Sequence, residues 1–352
     1  MIIVIQEVSD SGRGVLAQAT PEKDRRRERA LMGTYIVPLQ DIREDEVERC
    51  GGKAASLGKL TRMGARVPPG FCIVSEALSY VLDTDGLTDR IEGLARKLDF
   101  SDFAKVDAGC EEIRSLMASA GIPNLLSRDI CDQYAALVTP NNRFVAVRSS
   151  VAVKDMAISS FPGMMDTYHY VLGEDQVLEK VRECWASLWS ARAAYMRHHK
   201  RIPHQKAIIA PVVQLMVNSD TAGVLFTANP VTKDKTEVMV ESNWGLGESV
   251  VSGKSMNDYF VLDKATLTVR ERKIAHKTVM VVADDGRGSG RIELPVPVER
   301  ATLTTLTDTQ LLELADFARR IEAHFGFNVD VEWAYEDGRL YILQARKIRD
   351  MD

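Results

Sequence analysis

Four polar residues near the C-terminal end, Asp330, Glu332, Gln344 and Arg346, alternate with apolar ones in two runs that flank Asp337-Gly338. An Asp-Gly pair between alternating runs is the strongest short signal for a β-hairpin. With Glu332 opposite Gln344, all four polar side chains share one face. Val331, Trp333, Tyr335, Tyr341, Leu343 and Ala345 then share the other. A carboxylate facing an amide oxygen, beside a guanidinium, could seat Mg²⁺ and a phosphate chain. A strict two-residue turn would oppose Glu332 to Leu343 and send Gln344 to the wrong face. The pattern therefore predicts a three-residue turn or a bulge at Asp337–Arg339. The same alternation suits an amphipathic hairpin with no ligand equally well.

Other candidates lie upstream. Gly51-Gly52-Lys53 opens a helix predicted from Ala54 to about Met63, where N–H groups and one ammonium could meet an anion. It is no Walker A loop, since Val47 stands where the first glycine belongs and no Ser or Thr follows the lysine. Arg148-Ser149-Ser150 ends an apolar strand, and its guanidinium and hydroxyls could grip phosphate oxygens. In Pro162-Gly163-Met164-Met165-Asp166-Thr167, Gly163 allows close backbone approach and Thr167 offers a hydroxyl. Gln214 could present its amide to a nucleobase beside Leu215 and Met216. Trp244-Gly245-Leu246-Gly247-Glu248 is half of a dinucleotide fingerprint, and close packing at a turn suits it better. Each has a plain structural alternative: a solvent-facing lysine, a salt bridge, a surface loop, a satisfied strand amide.

These residues need a scaffold. The chain has 352 residues, 45% of them hydrophobic, enough for a large core in two or three subdomains. Its net charge of −5 is spread without a basic stripe, so neither nucleic acid nor a membrane surface is an expected partner. Five scattered cysteines without C-x-x-C spacing, and no signal peptide, point to a reduced, cytoplasmic protein. Residues 1–33, with a charge run at 22–29, read as a flexible N-terminal extension. The periodicity predicts one long helix from about Asp175 to His199, a loop over 284–298, and a last helix capped by Asp308. Strand–helix units followed by a β-rich half give a mixed α+β fold with two lobes.

Taken in order, Gly-Gly-Lys-Ala-Ala-Ser-Leu-Gly, Val-Ala-Val-Arg-Ser-Ser, Phe-Pro-Gly-Met-Met-Asp-Thr, Val-Val-Gln-Leu-Met-Val, Ala-Gly-Val-Leu-Phe-Thr, Trp-Gly-Leu-Gly-Glu and Glu-Trp…Leu-Gln-Ala-Arg closely resemble the nucleotide-binding domain of the phosphoenolpyruvate synthase and pyruvate phosphate dikinase family. The resemblance runs over about residues 34–348. It implies an ATP-grasp fold of two lobes with a helical insertion: an N-terminal lobe over 34–205, a C-terminal lobe over 206–348 and a tail at 349–352. It also implies that Lys53 and Arg148 hold phosphates, with Gly163 and Thr167 lining the phosphate loop and Gln214 at the adenine pocket. Glu332 and Gln344 would bind Mg²⁺ (or Mn²⁺), and Arg346 would stabilise the transferring group. In that family ATP phosphorylates a histidine on a swivelling domain, with overall release of AMP and phosphate.

Two departures stand out. Lys154-Asp155 replaces the family's Glu-Asp, and Lys347 replaces its proline. The carrier motif, Gly-Gly followed by Ser-His-Ala, is absent from the sequence. The resulting expectation is a separate subunit carrying the phosphohistidine and the small-molecule acceptor site, as in the stand-alone ATP-binding subunit of phenylphosphate synthase, which this chain resembles. The alternatives are the split ATP domain of a phosphoenolpyruvate synthase or antibiotic phosphotransferase, and a non-catalytic ATP sensor.

Overall fold

The computed structural model describes residues 35–154, 166–253 and 255–348. In chain order the strands are β1 (Ile36–Pro38), β2 (Gly70–Ile73), β3 (Phe144–Val153), β4 (Thr167–Leu172), β5 (Ala207–Leu215), β6 (Thr221–Phe226), β7 (Glu237–Trp244), β8 (Asp258–Asp263), β9 (Val269–Lys273), β10 (Val279–Ala283), β11 (Arg291–Pro295), β12 (Val329–Glu336) and β13 (Arg339–Lys347). The helices are α1 (Val47–Arg62), α2 (Ser75–Thr84), α3 (Thr88–Arg96), α4 (Phe103–Ser119), α5 (Asn124–Leu137), α6 (Glu174–Ala186), α7 (Ala191–His199), α8 (Glu248–Val251) and α9 (Asp308–Phe325).

A five-stranded sheet, β1-β2-β5-β3-β4, and a six-stranded sheet, β13-β12-β6-β7-β8-β9, are both antiparallel, and β10 and β11 form a separate ribbon. β5 completes the first sheet, between β2 and β3. The sheets therefore change over between Leu215 and Thr221, whereas the sequence reading divides the lobes at 205/206. The reason is that β5 is buried at eight of its nine positions, as a central strand must be, with Gln214 its one polar residue.

Helices α2 to α5 are inserted between β2 and β3 and pack, with α6, on one face of the first sheet. α1 lies against the other face. Its Ala54, Leu57 and Leu60 share one core with Val212 of the first sheet and with Leu225, Val240 and Trp333 of the second. This common core ties the two sheets together and places the start of α1 at their junction.

Local chemistry explains where the periodicity misleads. The long helix expected over 175–199 is broken, because Ser190 takes an extended conformation (ψ 143°) and accepts a hydrogen bond from the Ala193 N–H, starting α7 afresh. Thr307, not Asp308, caps α9 through a capping box with Gln310, and Gly326 ends it in a left-handed turn. β11 lies inside the segment expected to be a loop, paired residue for residue with β10. Among the described residues, no helix is long and apolar enough to cross a membrane. All five cysteines are free thiols, four of them buried.

Candidate active site

The β12–β13 hairpin opposes Glu332 to Gln344 and Asp330 to Arg346, as the alternation requires. The extra residue is not in the turn. Asp337 (φ 51°) and Gly338 (φ 71°) make a tight two-residue turn between Glu336 and Arg339. The register instead shifts at Glu332/Trp333, leaving Leu343 as a bulge. Both backbone groups released there find partners: the Ile342 N–H donates to the Arg66 carbonyl at 2.9 Å, and the Leu343 carbonyl accepts from Arg148 at 2.6 Å. The bulge also corrects the expected faces. Leu340 and Ile342 join Trp333 and Tyr335 in the core, while Tyr341 and Leu343 pack with Ala222 and Ala334 on the other side.

That bulge delivers the second sheet's polar face to Arg148. β3 and β5 pair Arg148 with Val212 and Ala146 with Gln214, so Arg148 and Gln214 are diagonal neighbours on one face. The Arg148 guanidinium reaches Gln214 Oε1 at 3.0 Å, Glu332 Oε2 at 3.3 Å and Gln344 Oε1 at 3.3 Å. Gln214 is held in turn, its Nε2 donating to the Pro68 carbonyl at 3.0 Å. These two bonds fix the amide's orientation beside Arg148 and leave it one further donor and one further acceptor position.

These groups line one cavity of about 210 Å³ between the sheets, together with Lys53, Thr167, His169, Met216, Val217, Leu246 and Glu248. A larger surface groove beside Lys264, Glu322 and Asn328 contains none of the candidate ligand-binding residues.

Lys53 enters the cavity from a kink in α1. Gly51 has φ 76° and passes so close to β3 that a Cβ there would meet Ser150 Oγ at 2.4 Å. Only glycine tolerates both constraints. Ser150 accepts a hydrogen bond from the Ala54 N–H at 3.0 Å, and Ser149 donates to the Asp166 carbonyl at 2.8 Å. The two serines therefore anchor α1 and β4, and neither lines the cavity. Lys53 makes no hydrogen bond or ion pair with another described residue. Burial, followed by repulsion from Arg148, pulls its pKa down to about 7, while Glu332 opposes the drop. An ammonium in this state gains strongly from an incoming polyanion.

Arg346 stands outside the cavity lining and pairs with Asp330 at 2.7 Å. Burial pushes the Asp330 carboxyl up despite that partner. Thr167 pairs with Arg148 across β3 and β4 and lines the cavity. Gly163 lies outside the described residues. Glu332 Oε2 and Gln344 Oε1 converge on the same Arg148 nitrogen, Nη2, so a hard cation could occupy the space between them. Among the described residues there is no cluster of three or more His, Cys, Asp or Glu. Two protein oxygens suit an ion that keeps phosphate and water ligands, as Mg²⁺ does.

Sequence reasoning missed His169 and gave Glu248 only a packing context. A single histidine inside a strand carries no pattern, and only the fold brings it to the cavity.

Two antiparallel sheets closing on a cavity lined by a lysine, an arginine, a carboxylate and an amide define an ATP-grasp-type nucleotide-binding domain. The chain belongs to the pyruvate phosphate dikinase AMP/ATP-binding domain family, which matches residues 47–352. It is 36% identical to a probable phosphoenolpyruvate synthase of Pyrococcus horikoshii over 355 aligned residues, covering 89% of this chain and 43% of the relative. Identity to the phosphoenolpyruvate synthase of Pyrococcus furiosus is also 36%, with coverages of 89% and 44%. The prodigiosin synthesizing transferase PigC of Serratia marcescens is 39% identical, with coverages of 90% and 33%. The chain spans less than half the length of these relatives. They support the phosphoenolpyruvate synthase reading better than the phenylphosphate synthase one.

Proposed function

We propose that this domain holds ATP with Mg²⁺ and leaves a phosphoryl group on a histidine of a separate domain or subunit, with a second phosphoanhydride bond cleaved by water so that AMP and phosphate are released overall, in a reaction of the phosphoenolpyruvate synthase type. The observation that carries the proposal is Arg148, which is held by side chains of both sheets and faces one cavity with a Lys53 that has no described partner. Phosphoryl transfer needs mostly positioning and neutralisation of charge on the moving group. In this reading Lys53 and Arg148 grip the phosphates, and the apolar wall of Met216, Val217 and Leu246 receives the base. Thr167 adds a hydroxyl. Arg346 leaves Asp330 to meet the transferring group. Glu332 and Gln344 would hold the metal, which when bound would offset the charge of the phosphates.

Phenol as the final acceptor is the second reading and rests only on the subunit resemblance. The test is to incubate the chain with ATP, Mg²⁺ and the histidine-bearing domain of a phosphoenolpyruvate synthase. Stoichiometric AMP and an acid-labile phosphohistidine on that domain are expected. ATP binding with no AMP formed would favour the sensor alternative.

A further inference from the structure

Lysines in this chain are mostly placed to keep their charge. Lys277 is buried but paired with Asp258 at 2.6 Å, and Lys97 and Lys200 stand in solvent. Lys53 fits neither pattern. The kink at Gly51 turns it into the cavity between the sheets, where it is partly exposed and makes no hydrogen bond or ion pair with another described residue. That cavity, of about 210 Å³, also contains the Arg148 guanidinium. The charged and titratable groups around the amine are Arg148 on β3, Glu332 on β12, Arg346 on β13 and Cys184 on α6. His169 and Glu248 complete the set from the cavity wall.

Two conditions turn a lysine from a fixed charge into a nucleophile: removal from water and a second cation close by. Lys53 meets both. Burial, and then Arg148, bring its pKa to about 7, so about half of the chains carry the free amine at neutral pH, against fewer than about one in a thousand for a solvated lysine. Lower basicity takes back only part of that advantage, because nucleophilicity falls less steeply than pKa. The same Arg148 draws an anionic reagent towards the amine. Its contacts with Glu332 and Gln344, each 3.3 Å, are long ones that phosphate oxygens can replace. A reagent that carries a phosphate and, directly beside it, an electrophilic carbon is an acyl phosphate, and a small one suits a cavity of this size.

We propose that Lys53 is a site of covalent acylation by small acyl phosphates, with the Arg148 guanidinium seating the phosphate while the lysine amine attacks the acyl carbon. The new N–C bond forms as the C–O bond to phosphate breaks. Inorganic phosphate leaves with the bonding electron pair and takes up the proton lost by the amine. The product is an uncharged amide, so the modification removes one of the cations facing the cavity. The inference shares with the proposed function only the anion seat at Arg148 and needs no nucleotide.

The test is to treat the full chain with acetyl phosphate and follow the acetylation of each lysine by mass spectrometry, with Lys97 and Lys200 as internal references. Lys53 is expected to react at least about tenfold faster than either. Its rate should saturate with reagent and fall when inorganic phosphate is added. With acetic anhydride, which has no phosphate, its lead over the references should shrink. Above about pH 8 the Lys53 rate should level off while the reference rates keep rising. Equal rates at Lys53, Lys97 and Lys200 overturn the proposal. So does a Lys53 rate that neither saturates nor responds to inorganic phosphate, since Arg148 would then seat nothing. Acetylation as described in a chain that binds no ATP would uphold this inference and sink the nucleotide reading instead.

Discussion

Two buried cation–carboxylate pairs in this molecule look alike on paper and are built for opposite ends. In the second lobe, Lys277 and Asp258 are wholly buried and 2.6 Å apart. Asp258 Oδ1 also accepts from the Ala275 N–H at 3.0 Å. Its Oδ2 takes the Thr305 N–H at 2.8 Å and the Thr305 hydroxyl at 2.9 Å. Both oxygens are therefore satisfied and the pair is closed. Between the lobes, Arg148 and Glu332 meet at 3.3 Å with side chains 10% and 26% exposed. The guanidinium there is shared among a carboxylate, two amides and a bulge carbonyl, and it opens onto a cavity. A saturated pair has nothing left to give a ligand. A loose one can trade its partners for phosphate and metal at little cost, which is what separates a structural ion pair from a binding one.

The contrast breaks most visibly at the closed pair. Asp258→Ala strands a buried ammonium and should cost about 3–5 kcal/mol of stability, read in urea unfolding, while the folded fraction still binds ATP. Arg148→Ala should do the reverse. ATP affinity should fall by about 100-fold, from losing charged hydrogen bonds of roughly 1.5–3 kcal/mol each, and the unfolding free energy should move by less than about 1 kcal/mol. Equal stability losses at the two sites would erase the distinction.

Lys53 sharpens the comparison through pH. Its pKa is about 7 in the folded protein against an ordinary 10.5, so between those values the unfolded chain binds more protons and stability rises with pH. Lys53→Met should stabilise the ligand-free protein by on the order of 2 kcal/mol at pH 6, a figure reduced for the partial exposure of the side chain. The gain should vanish near pH 10. Urea melts across this range would show it, and a pH-independent gain would contradict the assignment. The smallest effect belongs to the second layer. Gln214→Leu removes one hydrogen bond from Arg148, so ATP affinity should weaken by about fivefold, equivalent to about 1 kcal/mol.

How much of this could be read from residues alone follows the same line between local and long-range causes. The pairing of Glu332 with Gln344 was legible because alternation has a period of two and the face had to stay uniform. That parity also demanded one extra residue, but not where it would sit. Asp337-Gly338 suits a two-residue turn so well that the insertion moved to Leu343, where Arg66 and Arg148 absorb the freed backbone groups. Lys53, Arg148, Thr167 and Gln214 were found as motifs and do converge on the cavity. Their partners were not legible, since the use of Ser149 and Ser150 as anchors depends on elements far away in sequence. The break at Ser190 escaped notice because apolar spacing continues through it, and His169 because it has no spacing at all.

The central claim is that the loosely held cluster of Arg148, Glu332 and Gln344 is where ATP and its metal ion bind together. It is tested most directly by titrating ATP into the wild-type chain and Glu332→Gln, with and without Mg²⁺. The account predicts one ATP per wild-type chain, bound at least about tenfold tighter with Mg²⁺, and loss of that metal dependence in Glu332→Gln with the fold intact. The same Mg²⁺ dependence in both proteins would contradict it.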